Sequence, residues 1–354
     1  MLGAGLSPKN AFAKNAAPDP HEAMFYKNLD EETVRCELCP HQCVLGEGDR
    51  GFCRVRECIN GKLYSLVYEL PCSIHVDPIE KKPMFHMLPA SKSFSLATAG
   101  CNSRCRYCQN WQISQSKPEE TENIKFTKEQ AVSGALEAGC KSIAYTYSEP
   151  NVFYEYGLDT ARLARSKGIK NIWVTGGLIN PDPLRKLAGC VEAANIDFKA
   201  YDDNFLRERC AQNLKTITDT IKISKGCGMW IEITNLIVPT LNDDLSKIRK
   251  MAVWIRENVG KDVPLHFSRF WPMYKLKNLP PTPVATLEKA RETALEAGLE
   301  YVYIGNLPGH EGNNTYCPSC KSLVIGRNGY LITEINMSGP KCGSCGHEIP
   351  GIWT

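Results

Sequence analysis

The stretch that decides the fold is Ser93-Phe94-Ser95-Leu96-Ala97-Thr98-Ala99-Gly100-Cys101-Asn102-Ser103-Arg104-Cys105-Arg106-Tyr107-Cys108-Gln109-Asn110. A β-type segment leads into three cysteines at C-x3-C-x2-C spacing. Three thiolates can hold a [4Fe-4S] cluster by three of its four irons, which leaves one iron open to a small molecule. A zinc knuckle that lacks one ligand is the alternative. The order of strand and loop puts Cys101, Cys105 and Cys108 at the C-terminal end of a strand, where α/β enzymes keep their chemistry.

Downstream of this loop, β-rich segments alternate with amphipathic helices, which is typical of a parallel sheet built from βα units. The predicted strands are Phe94 to Ala99, Ser142 to Tyr147, Asn171 to Thr175, Ala194 to Phe198, Trp230 to Val238, Leu265 to Phe270 and Tyr301 to Gly305. Roughly six βα units are too few for a closed eight-stranded barrel. The predicted fold class is therefore α/β with an open, partial barrel.

Cap signals mark two of the intervening helices. Thr127 and Gln130 form a predicted capping box, and Gly139 ends that helix. A second helix is predicted to begin after Asp244 and to stop at Gly260, with apolar residues on one face between them.

The chain resembles the radical S-adenosylmethionine (SAM) enzymes, and within them the glycyl-radical-activating branch typified by pyruvate formate-lyase activating enzymes. The AmmeMemoRadiSam-type radical SAM proteins resemble it most. The segments that carry the resemblance are Cys36-Glu37-Leu38-Cys39-Pro40-His41-Gln42-Cys43, Tyr107-Cys108-Gln109-Asn110, Asn195-Ile196-Asp197-Phe198-Lys199 and Ile304-Gly305-Asn306-Leu307-Pro308-Gly309-His310. The resemblance implies a (β/α)6 TIM-like partial barrel. It also implies that SAM occupies the open iron and is cleaved by one electron to a 5′-deoxyadenosyl radical. That radical would abstract hydrogen from a protein glycine or a small molecule.

The resemblance further implies a set of SAM-binding residues: Tyr107, Asn110, Ser148, Glu149, Thr175, Gly176, Asp197 and Lys199. Tyr107 would pack near the adenine, or simply fill space in the loop. Asn110 would bond to SAM or order the cluster loop. Asp197 and Lys199 alternate along a strand and so share a face, where the lysine could hold the SAM carboxylate, or the two could form an exposed pair.

The sequence departs from the family pattern at three places. Ser148 stands where relatives often carry the second glycine of Gly-Gly-Glu-Pro. Its side chain disfavours the close approach of SAM to the backbone that glycine allows. Val174 stands where some relatives have an acidic residue that helps bind a monovalent cation, so no such site is predicted. Tyr274 stands where relatives carry a histidine after the sixth strand.

Both ends of the chain are rich in cysteine. A β-hairpin around Asn328-Gly329 joins two C-x-x-C pairs, which predicts a zinc ribbon, although a single iron fits the same four thiolates. Near the N-terminus, C-x2-C-x3-C-x9-C spacing predicts a second four-thiolate site that suits zinc or an accessory [4Fe-4S] cluster equally well; as iron, it could relay electrons. The two predicted sets are Cys317, Cys320, Cys342 and Cys345, and Cys36, Cys39, Cys43 and Cys53. His41 and Cys58 are reserve ligands for the second set, while most of the scattered cysteines, such as Cys210, are expected to be buried apolar residues.

Length and composition set the remaining expectations. The 354 residues are 43% hydrophobic, carry a net charge of +3 and include 17 cysteines. Cysteines in short clusters indicate metal ligation in a reducing compartment, so a cytoplasmic protein is expected, and no apolar run predicts a membrane span. The small net charge makes nucleic acid an unlikely partner. The expected divisions are a disordered lead-in over 1–30, a cysteine-rich module over 31–85, the partial barrel over 86–312 and the zinc-ribbon-like module over 313–354.

Two functions from different classes compete at this point. The first is a radical SAM enzyme that uses SAM, a [4Fe-4S] cluster and a reductant such as flavodoxin or ferredoxin. Its substrate is a protein or a small molecule. The second is a non-catalytic iron-sulfur or zinc-ribbon protein that relays electrons or binds RNA. The three-cysteine loop with an open iron favours the enzyme.

Overall fold

The computed structural model describes residues 16–354, which fall into two compact units. Of the described residues, the first unit holds 16–77, 93–102 and 110–171. The second unit holds 78–92, 103–109 and 172–354. Each unit is therefore assembled from segments that lie far apart in the sequence.

The first unit contains short antiparallel strands near the N-terminus and a parallel pair further along. Its strands are β1 (His21–Glu22), β2 (Tyr26–Asn28), β3 (Val34–Cys36), β4 (Val44–Leu45), β5 (Arg56–Ile59), β6 (Lys62–Ser65), β7 (Ser73–Pro78), β8 (Lys92–Ala97) and β9 (Ser142–Tyr145). The small sheets have the orders β1-β6-β5 and β2-β3-β4, and β8 pairs in parallel with β9. Strand β8 is the predicted strand that leads into the cysteine loop.

Within the described residues, the first unit has three helices, of which the second begins and ends where its cap signals predict. They are α1 (Trp111–Ser114), α2 (Lys128–Glu137) and α3 (Tyr154–Ser166), with 3-10 turns at Pro118–Glu120 and Pro150–Phe153. The capping box of α2 is confirmed: the Gln130 amide donates to Thr127 Oγ1 at 3.3 Å, and the Thr127 amide donates to Gln130 Oε1 at 2.8 Å. Gly139 follows with φ of +67°, a backbone conformation that favours glycine.

Part of the segment 1–30, expected to be a disordered lead-in, is ordered. Residues 1–15 lie outside the described residues, but β1 and β2 are ordered strands within the remainder. Strand β1 pairs with β6 and β2 pairs with β3, so partners later in the chain order this segment. Composition alone does not reveal such pairing.

The second unit contains alternating parallel strands and helices, followed by a β-rich C-terminal region. Its elements are a 3-10 turn at Ile79–Lys81, β10 (Lys170–Thr175), α4 (Pro181–Ala188), β11 (Ala193–Asp197), α5 (Asp203–Cys210), α6 (Leu214–Gly226), β12 (Trp230–Ile237), α7 (Leu245–Asn258), β13 (Leu265–Arg269), α8 (Val284–Glu296), β14 (Val302–Gly305), a 3-10 turn at Glu311–Asn313, β15 (Thr315–Tyr316), β16 (Leu323–Asn328), β17 (Leu331–Ile335), β18 (Met337–Ser338) and β19 (Lys341–Cys342).

The strands β10 to β14 pair in parallel in their order along the chain. Their residues are almost all buried, as expected for strands covered on both faces by helices. The Asp244 side chain accepts from the Ser246 amide at 2.8 Å and caps α7, as predicted. The α/β class and the seven predicted strands are therefore confirmed to within a few residues.

The C-terminal region packs into the core of the second unit. Phe85, Tyr301 and Tyr303 form one apolar cluster with residues of the hairpin β16–β17 and its surroundings. The members from the C-terminal region are Cys317, Val324, Ile325, Cys342 and Ile349. The predicted hairpin is confirmed, and its turn at Gly329 has φ of +61°.

A buried carboxylate fastens the segment that carries Phe85. Glu232 on β12 accepts hydrogen bonds from the backbone amides of Phe85 and His86, at 2.9 and 2.8 Å. His266 Nε2 lies 2.7 Å from the same carboxylate. Because a buried carboxylate is costly unless it is paired, this network fixes the segment firmly against the strand.

None of the helices formed by residues 16–354 combines the length and the apolar character needed to cross a membrane.

Candidate functional site

The cysteine loop is shared between the two units. Cys101 lies in the part of the loop that belongs to the first unit, and it follows Gly100, whose φ is +92°. A side-chain carbon at Gly100 would lie 2.7 Å from the carbonyl oxygen of Cys53, so only glycine fits at that position. Cys105 and Cys108 belong to the second unit; Cys105 is buried and Cys108 is half-buried.

In the second unit, the end of α5 holds the segment with Cys105 in place. The Arg104 amide donates to the Cys210 carbonyl at 2.7 Å, and the Arg106 amide donates to the Arg209 carbonyl at 3.0 Å. These bonds run like a short strand pairing beside Cys105. Protein contacts therefore hold this segment in place on both sides of Cys105.

Gln212 links the same segment to the end of β10. Its side-chain amide donates to Ser103 Oγ at 3.0 Å and to the Gly176 carbonyl at 3.3 Å. Thr175, which precedes Gly176, is buried and accepts a hydrogen bond from the Gly177 amide at 3.0 Å through Oγ1. The predicted residues Thr175 and Gly176 thus lie at a strand end that is tied to the cysteine loop.

The predicted pair at the end of β11, Asp197 and Lys199, forms an ion pair. Lys199 Nζ lies 2.7 Å from Asp197 Oδ2, with the lysine side chain 12% exposed and the aspartate 37% exposed. Burial disfavours the charged lysine, but the Asp197 carboxylate outweighs it, so the pKa of Lys199 lies well above its usual value. Lys199 is therefore a permanent cation with a partly open carboxylate beside it.

Cys105, Tyr107 and Cys210 form a buried cluster near this ion pair. The Tyr107 hydroxyl lies 3.1 Å from Cys210 Sγ, and the Tyr107 ring stacks on Phe205 with the ring centroids 6.3 Å apart. Contact with Cys210 and burial hold the pKa of the Cys105 thiol well above its usual value. A metal that binds this sulfur must therefore displace a proton from it.

The sequence did not identify Cys210 as a residue of this site. It lies outside the cysteine clusters and was expected to be a buried apolar residue. It lies 105 residues after Cys105, so no local spacing joins the two. The only available signal was its place at the end of the helix that follows Asp197 and Lys199. Gln212 was missed for the same reason, because a single glutamine in a loop has no distinctive pattern.

In the first unit, Asn110 and Ser148 lie beside an unusual residue at the end of β9. Tyr147 has φ of +64°, which non-glycine residues rarely adopt, and its carbonyl accepts from Asn110 Nδ2 at 2.9 Å. Its hydroxyl donates to the carboxylate of Asp77. In the family pattern Gly-Gly-Glu-Pro, the first glycine corresponds to Tyr147. The positive φ that suits glycine is therefore adopted here by a tyrosine.

The two residues that follow Tyr147 are also buried. Ser148 is 6% exposed, and within residues 16–354 its hydroxyl has no hydrogen-bond partner. Glu149 is 5% exposed and accepts from the Asn151 amide at 3.2 Å, which caps the 3-10 turn. A buried hydroxyl without a partner is a group that a bound ligand can satisfy.

The C-terminal cysteines converge as predicted. The ligand atoms of Cys317, Cys320, Cys342 and Cys345 all lie within 4.8 Å of one another. Two of the sulfur pairs are 3.6 and 3.8 Å apart. Four thiolates about 2.3 Å from one zinc ion would be about 3.8 Å apart, so this donor set fits a single tetrahedral metal ion.

The N-terminal cysteines gather around a shared cavity. Cys36, Cys39, Cys43 and Cys53 all line it, together with His41. His41 Nε2 lies 2.8 Å from the Asn102 carbonyl, and Cys58 Sγ contacts the Glu32 carbonyl at 3.5 Å outside the cavity lining. The four cysteines of the predicted set are thus together, and the two reserve residues have other partners.

Comparison with known proteins identifies the family. Residues 95–252 match the model of the radical SAM superfamily. An uncharacterized protein of Methanocaldococcus jannaschii is 48% identical over 332 residues, which cover 93% of this chain and 98% of that protein. This chain belongs to the radical SAM superfamily.

Two other matches are less similar to this chain. The pyruvate formate-lyase-activating enzyme of Clostridium pasteurianum is 25% identical over 167 residues, covering 46% of this chain and 69% of that enzyme. A solved radical SAM methyltransferase from Sphaerobacter thermophilus matches with a TM-score of 0.50 and 14% identity, over 81% of this chain and 77% of the other. The superfamily uses a [4Fe-4S] cluster and SAM.

Proposed function

We propose that this chain reductively cleaves SAM at a [4Fe-4S] cluster held by Cys101, Cys105 and Cys108, and removes a hydrogen atom from a protein glycine or a small molecule. The observation that carries the proposal is the group of residues in the second unit that surrounds Cys105. There a buried lysine cation, a partly open carboxylate and a sulfur ligand lie together. When bound and reduced, the cluster supplies the electron that converts SAM to a 5′-deoxyadenosyl radical.

The residues of the chain have separate tasks in this proposal. Lys199 binds the SAM carboxylate by a charge-assisted hydrogen bond, while Asp197 keeps the lysine charged and oriented. Thr175 and Gly176 present the end of β10 to the same ligand, and Tyr107 packs beneath it. In the first unit, the Ser148 hydroxyl and the strained Tyr147 backbone supply polar contacts, with Asn110 and Glu149 holding that turn.

The donor set suits this use better than a structural metal site. Three cysteines leave one iron of a cubane without a protein ligand, and the SAM amino and carboxylate groups are suited to fill it. A reduced ferredoxin or flavodoxin would supply the electron. Two relatives named as activating enzymes support a protein substrate, and their matches cover 46% and 58% of this chain.

Product analysis tests the proposal. Anaerobically reconstituted and reduced protein is expected to form 5′-deoxyadenosine from SAM, as measured by chromatography. The Cys105→Ala variant should lose this activity, and Cys140→Ala, which removes another buried cysteine, should keep it. Undiminished cleavage by Cys105→Ala would overturn the proposed role of the loop. An intact cluster in the unaltered protein without any cleavage would favour a non-catalytic electron carrier.

A further inference from the structure

The two four-cysteine sites differ in the spacing of their sulfur atoms. In the C-terminal set, all four ligand atoms lie within 4.8 Å of one another. Among the described residues, the N-terminal sulfurs do not form such a converging group, although all four line one cavity. A single zinc ion needs its thiolates about 3.8 Å apart. A cubane binds each thiolate through a different iron, and so it needs a wider cage.

Gly51 lies directly beside two of the N-terminal sulfurs. A side-chain carbon at Gly51 would lie 3.7 Å from Cys53 Sγ and 3.8 Å from Cys43 Sγ. Any larger residue would therefore extend into the space beside both sulfurs. The Phe52 amide also donates to Cys43 Sγ at 3.3 Å, a bond that stabilises a thiolate.

A buried cation lines the same cavity. Arg56 is 1% exposed, and its guanidinium donates to the Glu155 carboxylate and, at 3.0 Å, to the Met24 carbonyl. In the part of the chain that the structure describes, its Nε has no hydrogen-bond partner. A cubane with four thiolate ligands is anionic. The unsatisfied N–H of the buried Arg56 cation could therefore donate a hydrogen bond to such a cluster and stabilise its charge.

The N-terminal site touches the part of the cysteine loop that lies in the first unit. The Cys53 carbonyl packs against Gly100, the residue before Cys101. The His41 ring stacks on Phe52 with centroids 4.1 Å apart, and its Nε2 lies 2.8 Å from the carbonyl of Asn102, the residue after Cys101. Both neighbours of Cys101 are therefore in contact with the N-terminal site.

We infer that Cys36, Cys39, Cys43 and Cys53 hold a second [4Fe-4S] cluster, which receives electrons from outside and passes them to the cluster at Cys101. One electron moves from a reduced ferredoxin or flavodoxin to the N-terminal cluster, and the same electron then reduces the SAM-binding cluster. No bond is made or broken in this step. The assignment of iron stands on the geometry alone, whereas the electron transfer rests on the proposed function.

Metal analysis of a variant without the cysteine loop tests the assignment. The triple variant Cys101→Ala/Cys105→Ala/Cys108→Ala, reconstituted anaerobically with iron and sulfide, is expected to keep about four irons per chain and a visible [4Fe-4S] absorbance. Adding Cys39→Ser and Cys43→Ser should remove these irons. Adding Cys58→Ser, a buried cysteine outside the cavity, should not. Zinc at the N-terminal site, with no iron in the triple variant, would overturn the assignment.

A comparison of two electron donors tests the transfer step. The Cys39→Ser/Cys43→Ser variant with an intact cysteine loop should lose SAM cleavage when reduced ferredoxin is the donor. It should retain cleavage with titanium(III) citrate, a small reductant that reaches the loop directly. Equal rates with ferredoxin in the variant and the unaltered protein would overturn the relay. If the unaltered protein cleaves no SAM with either donor, the proposed function is wrong. The iron content of the triple variant would still support a cluster at the N-terminal site.

Discussion

At the scale of single residues, the site depends on groups whose charge is set by burial and by one neighbour. The alternation of Asp197 and Lys199 on a strand predicted their shared face, and the 2.7 Å ion pair confirms it. By contrast, the position of Cys210 against Tyr107 results from tertiary packing between a loop and a distant helix end. No spacing rule in the sequence reports such a contact, because the two residues are brought together only by the fold.

The replacement of Lys199 by alanine is expected to weaken SAM binding by about 1.5–3 kcal/mol, the contribution of a charge-assisted hydrogen bond. Calorimetry on the cluster-loaded protein measures this. Iron content should be unchanged, because the lysine is not a ligand. Lys250→Ala, at an exposed position on α7, serves as the matched control and should bind SAM normally. An affinity in Lys199→Ala equal to that of the control would mean that Asp197 and Lys199 only stabilise each other.

At the scale of elements, caps and periodicity predicted most of the fold. The capping box before α2, the Asp244 cap of α7 and the hairpin at Gly329 are all present. The strained turn at Tyr147 could not be predicted, since residues other than glycine rarely adopt a positive φ. The hydrogen bonds from Phe85 and His86 to β12 could not be predicted either, because they depend on the buried Glu232, an acidic residue within an apolar strand.

The connection between this fastened segment and the C-terminal region depends on a neutral histidine. His86 Nδ1 lies 2.7 Å from the Pro350 carbonyl, which can only accept, so Nδ1 donates. Nε2 then accepts from the Tyr303 hydroxyl at 2.6 Å. Burial lowers the pKa of His86 from 6.5 to about 4.

The stability of the protein should therefore fall as the pH falls below 6.5. As the pH falls, His86 binds a proton at about pH 6.5 in the unfolded state but only at about pH 4 in the folded state. The stabilisation of the folded state by neutral His86 is therefore complete above about pH 7 and is lost between pH 6.5 and about 4. Between about pH 7.5 and about pH 5.5 the loss is about 1 kcal/mol. Urea unfolding at the two pH values measures it. His86→Gln should remove this part of the pH dependence, whereas His310→Gln should keep it; equal slopes in unaltered protein and His86→Gln would contradict the assignment.

At the scale of the whole molecule, the sequence predicted where metal would bind but not how the second unit completes its core. The four C-terminal cysteines were predicted from spacing, and they converge. The expected ribbon was a separate module over 313–354, yet its apolar side chains share one cluster with Phe85, Tyr301 and Tyr303. Spacing reports ligands within a module, whereas the surface against which a module packs depends on distant parts of the chain.

Removal of the chain after Gly312 is therefore expected to unfold the second unit. It exposes several side chains of the shared core, each contributing about 1.5–3 kcal/mol when buried, against a typical total stability of about 5–15 kcal/mol. Limited proteolysis and near-UV circular dichroism report the loss. Leu331→Ser, which alters an exposed hairpin residue, is the control and should unfold like the unaltered protein. A truncated chain with an unchanged unfolding midpoint would show that the barrel is independent of the ribbon.

The bond between His86 and Pro350 spans 264 residues, and this has a consequence for synthesis on the ribosome. At about 5–20 residues per second, His86 emerges roughly 13–50 seconds before its acceptor is made. Until the hairpin β16–β17 has been made, Phe85 has none of its partners from it, and its apolar face stays open to water or to chaperones. The core of the second unit can therefore close only after the hairpin and Pro350 have been synthesised.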